Sequence, residues 1–237
     1  MKIISWNCQM AFRKKFEPIL ASDPDIVVIQ ECEHPDKLKF GKLMPSPNNY
    51  IWYGDNLNKG IGVFSFNQDI KLEKLTRHDP SYKYVIPVKV TGCFNFNLFA
   101  IWAMGNKSNW SQRYIGQVWS SLNYYHEELK EKSIIIGDFN WNKIWDNATN
   151  LSGNLTQTYN YLKKKGYISI YHHQNDEPLG KESTPTFYLQ RNKAKPYHID
   201  YSFYKTGLFT RVKKFRIGDY PKWIKLSDHM PIEIIFE

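Results

Sequence analysis

Ile134-Ile135-Ile136-Gly137-Asp138-Phe139-Asn140 is an apolar, β-branched run that ends abruptly in Gly, Asp and Asn. Three consecutive isoleucines suit a short strand covered on both faces. Gly137, Asp138 and Asn140 are turn formers, so taken alone the stretch allows a plain turn after a strand. The pattern recurs, however. Ile3-Ile4-Ser5-Trp6 runs into Asn7 and Cys8, and Ile26-Val27-Val28-Ile29 runs into Gln30-Glu31-Cys32-Glu33. His198-Ile199-Asp200-Tyr201 and Leu226-Ser227-Asp228-His229-Met230-Pro231 set further acids and a His beside apolar runs. The ends of buried strands can present rigid polar groups to a common crevice.

Outward from these pieces, similar apolar runs occur at Ile61–Phe66, Val85–Val90, Phe96–Trp102, Ile199–Tyr204 and Ile232–Phe236, each read as a strand. Ile115, Val118, Trp119, Leu122, Tyr125 and Leu129 recur at three- and four-residue steps, which predicts a helix from Ser111 to about Lys132. A second helix is expected from Leu155 to Lys165, with lysines in its last turn and Gly166 as its stop. A third is expected from Arg13 to Ala21, before Pro24. Helix follows strand repeatedly, so the class is α/β or α+β. No repeat, low-complexity tract or long linker divides the chain, and residues 1–237 are read as one domain.

The net charge of +9 favours polyanionic partners. Basic clusters lie at Arg13–Lys15, Lys163–Lys165, Arg191–Lys195 and Arg211–Arg216, although any one of them suits a solvated face equally well. Aromatics make up 16% of residues, which fits either a large aromatic core or stacking surfaces for bases. Three cysteines without a Cys-x-x-Cys pair suggest neither a disulfide framework nor a zinc knuckle. No signal-like segment and no apolar stretch near the roughly 18 residues of a membrane span occurs. A cytoplasmic monomer without a stable protein partner is expected.

If the polar pieces converge, Glu31, Asp138, Asp200 and Asp228 crowd four carboxylates together beside Asn7, Asn140 and His229. Crowded carboxylates raise one another's pKa values unless a cation intervenes. Oxygen ligands with a single imidazole favour Mg²⁺ or Mn²⁺ over Zn²⁺. Any one of these acids alone would more often be a helix cap or turn residue.

The ordered set Trp6-Asn7, Gln30-Glu31, Gly137-Asp138-Phe139-Asn140, Ile199-Asp200-Tyr201 and Ser227-Asp228-His229-x-Pro231 resembles the endonuclease/exonuclease/phosphatase superfamily, and Lys59-Gly60-Ile61-Gly62-Val63-Phe64-Ser65 is similar to one of its strands. The resemblance implies a four-layer sandwich, with two mainly antiparallel sheets face to face and helices outside. It implies roles as well. Glu31 would be the principal metal ligand, with Asn7 beside it and Asp228 near the metal. Asp138 would orient or deprotonate the attacking water, and Asn140 would hold a phosphate oxygen. His229 would contact the scissile phosphate, with Asp200 orienting its imidazole. The implied activity is Mg²⁺- or Mn²⁺-dependent hydrolysis of phosphodiester bonds. Nucleic acid is the expected substrate, by an exonuclease III-like or less specific nuclease. A small or lipid-linked phosphate is the alternative substrate, and a non-catalytic binding protein the third reading.

One stretch departs from the superfamily pattern. Trp102-Ala103-Met104-Gly105-Asn106 stands where deoxyribonuclease-like members carry a His and exonuclease III-like members a Tyr. An indole N–H does not titrate near neutrality and cannot protonate a leaving oxygen. Trp102 and Asn106 are therefore candidate substrate contacts without an acid role. Thr186 and His198, from the loop before Asp200, are further candidates, although a plain surface loop suits the first equally well and a satisfied structural His suits the second better. Cys8 and Cys32 each follow a site residue and are expected to turn into the core.

Overall fold

The computed structural model describes residues 1–237. Its strands, in chain order, are β1 (Lys2–Asn7), β2 (Ile26–Cys32), β3 (Asn49–Asn56), β4 (Lys59–Ser65), β5 (Ile70–Lys74), β6 (Val85–Gly92), β7 (Phe96–Trp102), β8 (Ser133–Asp138), β9 (Tyr167–Ser169), β10 (Phe187–Tyr188), β11 (Pro196–Tyr197), β12 (Asp200–Lys205), β13 (Val212–Ile217) and β14 (Ile232–Phe236). They form two six-stranded sheets, β13-β14-β1-β2-β4-β3 and β5-β6-β7-β8-β12-β9, and a small β10-β11 hairpin. Only β1–β2 and β7–β8 are parallel pairs, so both sheets are mainly antiparallel, as expected.

Three apolar layers hold the molecule together. The central one joins Ile3, Val28, Val63 and Ile234 of the first sheet to Val88, Leu98, Ala100 and Ile136 of the second. A second layer packs Phe99, Ile135 and Phe203 under Val118 and Leu122 of the helix Ile115–Tyr124 and Leu162 of the helix Leu155–Lys164. A third packs Ile4, Val27 and Ile29 under Phe12, Ile19 and Trp223. Strand alternation explains the arrangement, because odd and even residues of one strand feed different layers. The order is helix, sheet, sheet, helix. No helix is long and apolar enough to cross a membrane.

The helix expected from Ser111 to Lys132 is shorter. Its α-helical part is Ile115–Tyr124, flanked by 3₁₀ turns at Trp110–Gln112 and Glu128–Lys130. Tyr114, at φ 50° and ψ −125°, breaks it at the start, and Ser111 does not cap it. The helix Leu155–Lys164 falls where expected. Asn154 and Gln157 form a reciprocal capping box, and Gly166 follows at φ +80°. The segment read as a helix from Arg13 to Ala21 is a 3₁₀ turn and a single α-turn, Glu17–Leu20, with Pro18 in the first turn. Cys8 and Cys32 are both fully buried, Cys8 by alternation along β1 and Cys32 because a bulge in β2 returns it to the layer of Val27 and Ile29.

Candidate active site

The polar ends of β1, β2 and β8, the start of β12 and the loop before β14 meet at one edge of the sandwich. Each residue is aimed by a local feature of the backbone. Asn7 closes β1, and its neighbour in register is Gln30 on β2. Glu31 is the extra residue of a bulge, because Gln30 pairs with Ile61 and Cys32 with Gly60, and its φ is +59°. Such a bulge re-aims a side chain out of the normal alternation. Asp138 ends β8 opposite Asp200 at the start of β12. Thr186 Oγ1 accepts hydrogen bonds from the Ile199 and Asp200 backbone N–H groups, at 3.0 Å each, and so holds Asp200 in place. Ser227 donates to the Asn7 carbonyl at 2.7 Å and accepts from the His229 N–H at 3.0 Å. Trp6 Nε1 donates to the His229 carbonyl at 3.0 Å.

The side chains form a connected polar chain. His229 Nδ1 lies 3.0 Å from Asp200 Oδ2, and its Nε2 lies 4.0 Å from Asp138 Oδ2. Asn7 Nδ2 donates to the same Asp138 oxygen at 2.9 Å and lies 3.5 Å from Glu31 Oε1. The Asn140 N–H donates to Asp138 Oδ1 at 2.8 Å, and its side-chain amide donates to the Ala103 carbonyl. Asn7, Asp138, Asp200 and His229 are buried, whereas Glu31, Asn140 and Asp228 are partly exposed at the mouth.

Burial sets the electrostatics, and charge then corrects it. Desolvation pushes the Asp138 carboxyl well above the usual carboxylate range, with His229 drawing it back and Asp200 adding to the rise. Burial opposes charge on His229, but the carboxylates of Asp200 and Asp138 outweigh it, and the imidazole is pushed up to about 10. It is therefore a cation at neutral pH. The Asp228 carboxyl is also raised, by burial first, with Glu31 contributing and His229 opposing.

Two groupings offer metal donors. Asp138, Asp200 and His229 bring ligand atoms within 4.8 Å of one another. There the imidazole is committed to Asp200 and carries a charge that repels a second cation. The other grouping is Glu31, Asp228 and Asn7. Its two carboxylates are close enough for Glu31 to raise Asp228, and its donors are oxygens. That chemistry fits a hard divalent cation better.

The seven expected catalytic and metal-ligand positions, Asn7, Glu31, Asp138, Asn140, Asp200, Asp228 and His229, thus come together. Three of the four expected substrate contacts do not offer themselves to a ligand. Trp102 is 1% exposed and packs on Tyr84 at 4.6 Å, because its side chain falls on the face of β7 that meets the other sheet. Thr186 is fully buried and engaged with the backbone at Asp200. His198 is buried against Tyr171, with Nδ1 on the Thr184 carbonyl. Asn106 lies beside a cavity of about 340 Å³, but its Oδ1 accepts from the Ser108 and Asn109 N–H groups. Sequence reading missed Gln9, which donates to Asp228 Oδ2 at 3.0 Å, and Lys59, which pairs with Glu31. It also missed Phe187, whose ring sits 4.6 Å from that of His229. For Lys59 a signal existed, since a cation opens the strand that pairs with the end of β2.

Similar architectures occur among solved structures. The 3'-5' exonuclease NExo from Neisseria meningitidis is 18% identical over 100% of both chains, with a TM-score of 0.62. An AP endonuclease from Archaeoglobus fulgidus is 17% identical over 100% of this chain and 99% of that one, with a TM-score of 0.68. The endonuclease domain of TRAS1, a telomere-specific non-LTR retrotransposon, is 15% identical over 98% and 96%, with a TM-score of 0.66. At such identities the likeness is one of fold. No curated protein sequence matches the chain. The sequence profile of the endonuclease/exonuclease/phosphatase family does match, over residues 4–229, and with that match the chain belongs to this family, as a hydrolase of phosphodiester bonds.

Proposed function

We propose that residues 1–237 form one catalytic unit that hydrolyses phosphodiester bonds in nucleic acid with Mg²⁺ or Mn²⁺. The observation that carries the catalytic part is the buried, cationic imidazole of His229, clamped by Asp200 at 3.0 Å with Nε2 turned toward Asp138. Nε2–H is then free to donate to a phosphoryl oxygen and to offset the charge that builds there. Asp138, whose carboxyl is raised, orients the attacking water and accepts its proton. Asn7 fixes that carboxylate from the other side. Asn140, anchored by its own N–H on Asp138, steadies a non-bridging phosphate oxygen. Glu31, Asp228 and Asn7 would hold the divalent cation, which when bound polarises a phosphoryl oxygen. Attack is in line, and its acceleration comes from positioning and preorganised charge.

The net charge of +9 supports nucleic acid as the substrate class. So do the neighbours' own descriptions: an AP endonuclease, and NExo, described both as a 3'-5' exonuclease and as a 3' phosphatase bound to a product DNA hairpin. The test is cleavage of four labelled substrates with Mg²⁺, Mn²⁺ or EDTA: an abasic duplex, intact duplex DNA, single-stranded DNA and single-stranded RNA. Metal-dependent cutting of at least one is expected, and His229→Ala should lower it by about a hundredfold or more. No cutting of any of the four, with hydrolysis of a soluble or lipid-linked phosphate ester, would move the substrate to that class. A His229→Ala rate near wild type would remove His229 from its role.

A further inference from the structure

Lys59, the first residue of β4, reaches into the mouth of the site. Its Nζ forms an ion pair with Glu31 Oε2 at 3.2 Å and lies 5.1 Å from the centre of the Trp102 ring. The Lys59 and Glu31 side chains are only 32% and 18% exposed. The contact is built into the fold. Cys32 pairs with Gly60 beyond the bulge, which brings the start of β4 alongside Glu31. The buried indole of Trp102 offers its face to the ammonium as a fixed seat. The other Glu31 oxygen faces the Asn7 amide. Glu31 therefore carries a tethered monovalent cation at the position that the reading above gives to a divalent one. Two cations cannot share one carboxylate oxygen without mutual repulsion.

We propose that Lys59 is a built-in competitor for the metal at Glu31. In the metal-free protein its ammonium neutralises Glu31 and keeps the carboxylate of the bulge oriented. Metal entry requires that the ammonium leave Oε2, so resting affinity for the cation is lower than the donor set alone would give. Trp102 takes part through its ring, as the seat of Lys59, and not through its N–H. The inference rests on the reading of Glu31 as the metal ligand.

Mn²⁺ binding to the whole chain, followed by calorimetry or electron paramagnetic resonance, tests it without reference to turnover. Lys59→Met keeps the stem over Trp102 and removes the charge. A partly exposed ion pair is worth up to about fivefold in an equilibrium constant, and relief of repulsion between two cations adds to that. Lys59→Met should therefore bind Mn²⁺ about three- to tenfold more tightly than wild type. Lys59→Arg, which keeps the charge, should stay within about twofold. Unchanged or weaker binding by Lys59→Met would overturn the inference, as would equal tightening by Lys59→Arg. Glu31→Gln separates the two ideas. If it binds Mn²⁺ as well as wild type does, the metal reading of Glu31 fails. If it loses the ion while Lys59→Met matches wild type, only the role of Lys59 fails.

Discussion

At the scale of the residue, His229 is charged because of its neighbours and in spite of its burial. The sign of its pH dependence follows. A group held protonated up to about 10 serves as a cation across the neutral range and loses that role as pH passes its raised value. Asp200→Asn removes the strongest influence that raises it, so the alkaline fall in kcat/KM should move to lower pH by a unit or more. A pH–rate profile from about 6 to 10 that keeps its alkaline limb in Asp200→Asn would show that Asp200 does not set the charge of His229. The seven residues of the polar chain were legible in the sequence because each adjoins an apolar run. Gln9 and Phe187 were not, since their partners Asp228 and His229 lie far along the chain and nothing local marks the pairing. The inward placement of Trp102, Thr186 and His198 was not legible for a related reason. A polar or aromatic residue near a site residue reads the same whether it faces the cleft or the core, and only packing turned these three inward.

At the scale of the element, the eight strands legible as apolar runs are the eight interior strands of the two sheets. The other four strands of these two sheets, β3, β5, β9 and β13, are the four edges, and the small β10-β11 hairpin carries no such run either. Edge strands have one paired side and often one wet face, so their sequences lack a continuous apolar run, as the mixed exposure of Asn49–Asn56 and Val212–Ile217 illustrates. The end of β8 shows how an element aims a site. Gly137 has φ +143°, and a Cβ there would lie 2.0 Å from the Ile101 carbonyl oxygen of the parallel neighbour β7. Gly137→Ala should destabilise the protein by at least about 1–3 kcal/mol for the backbone alone, with the clash added, and should disturb Asp138. Gly207→Ala is the control, with φ +78° and nothing within 4 Å of the added carbon. Its cost should be confined to the left-handed backbone, about 1–2 kcal/mol. Thermal melts that place the two variants within a degree of each other would contradict this account of the turn.

At the scale of the whole molecule, the +9 charge is not spread evenly in its consequences. Two of the four basic clusters flank the site. Lys15 donates to the Cys8 and Gln9 carbonyls, and Arg191 bonds Gln9, which in turn bonds Asp228. The other two lie on a helix end, Lys163–Lys165, and on the edge strand β13, where Arg211 and Lys213 pair with Glu237. A nucleic-acid substrate should make log(kcat/KM) fall linearly with log salt, and each lost phosphate contact should reduce the slope by about 1. Exposed Lys193 and Lys195, beside Arg191, should show this on change to Ala, whereas Lys163→Ala should leave the slope alone. A flat salt response in the wild-type chain would argue for a small phosphate in place of a polymer. The sequence by itself determined the interior strands, the capped helix Leu155–Lys164, the family and the residues of the polar chain, because apolar runs, caps and ordered motifs are local signals. Only the tertiary structure decided which faces those residues share. The bulge at Glu31, the seat of Lys59 on Trp102 and the clamp of Asp200 on His229 all join segments distant in sequence. Their geometry is set by how two twisted sheets pack face to face, which no local pattern encodes.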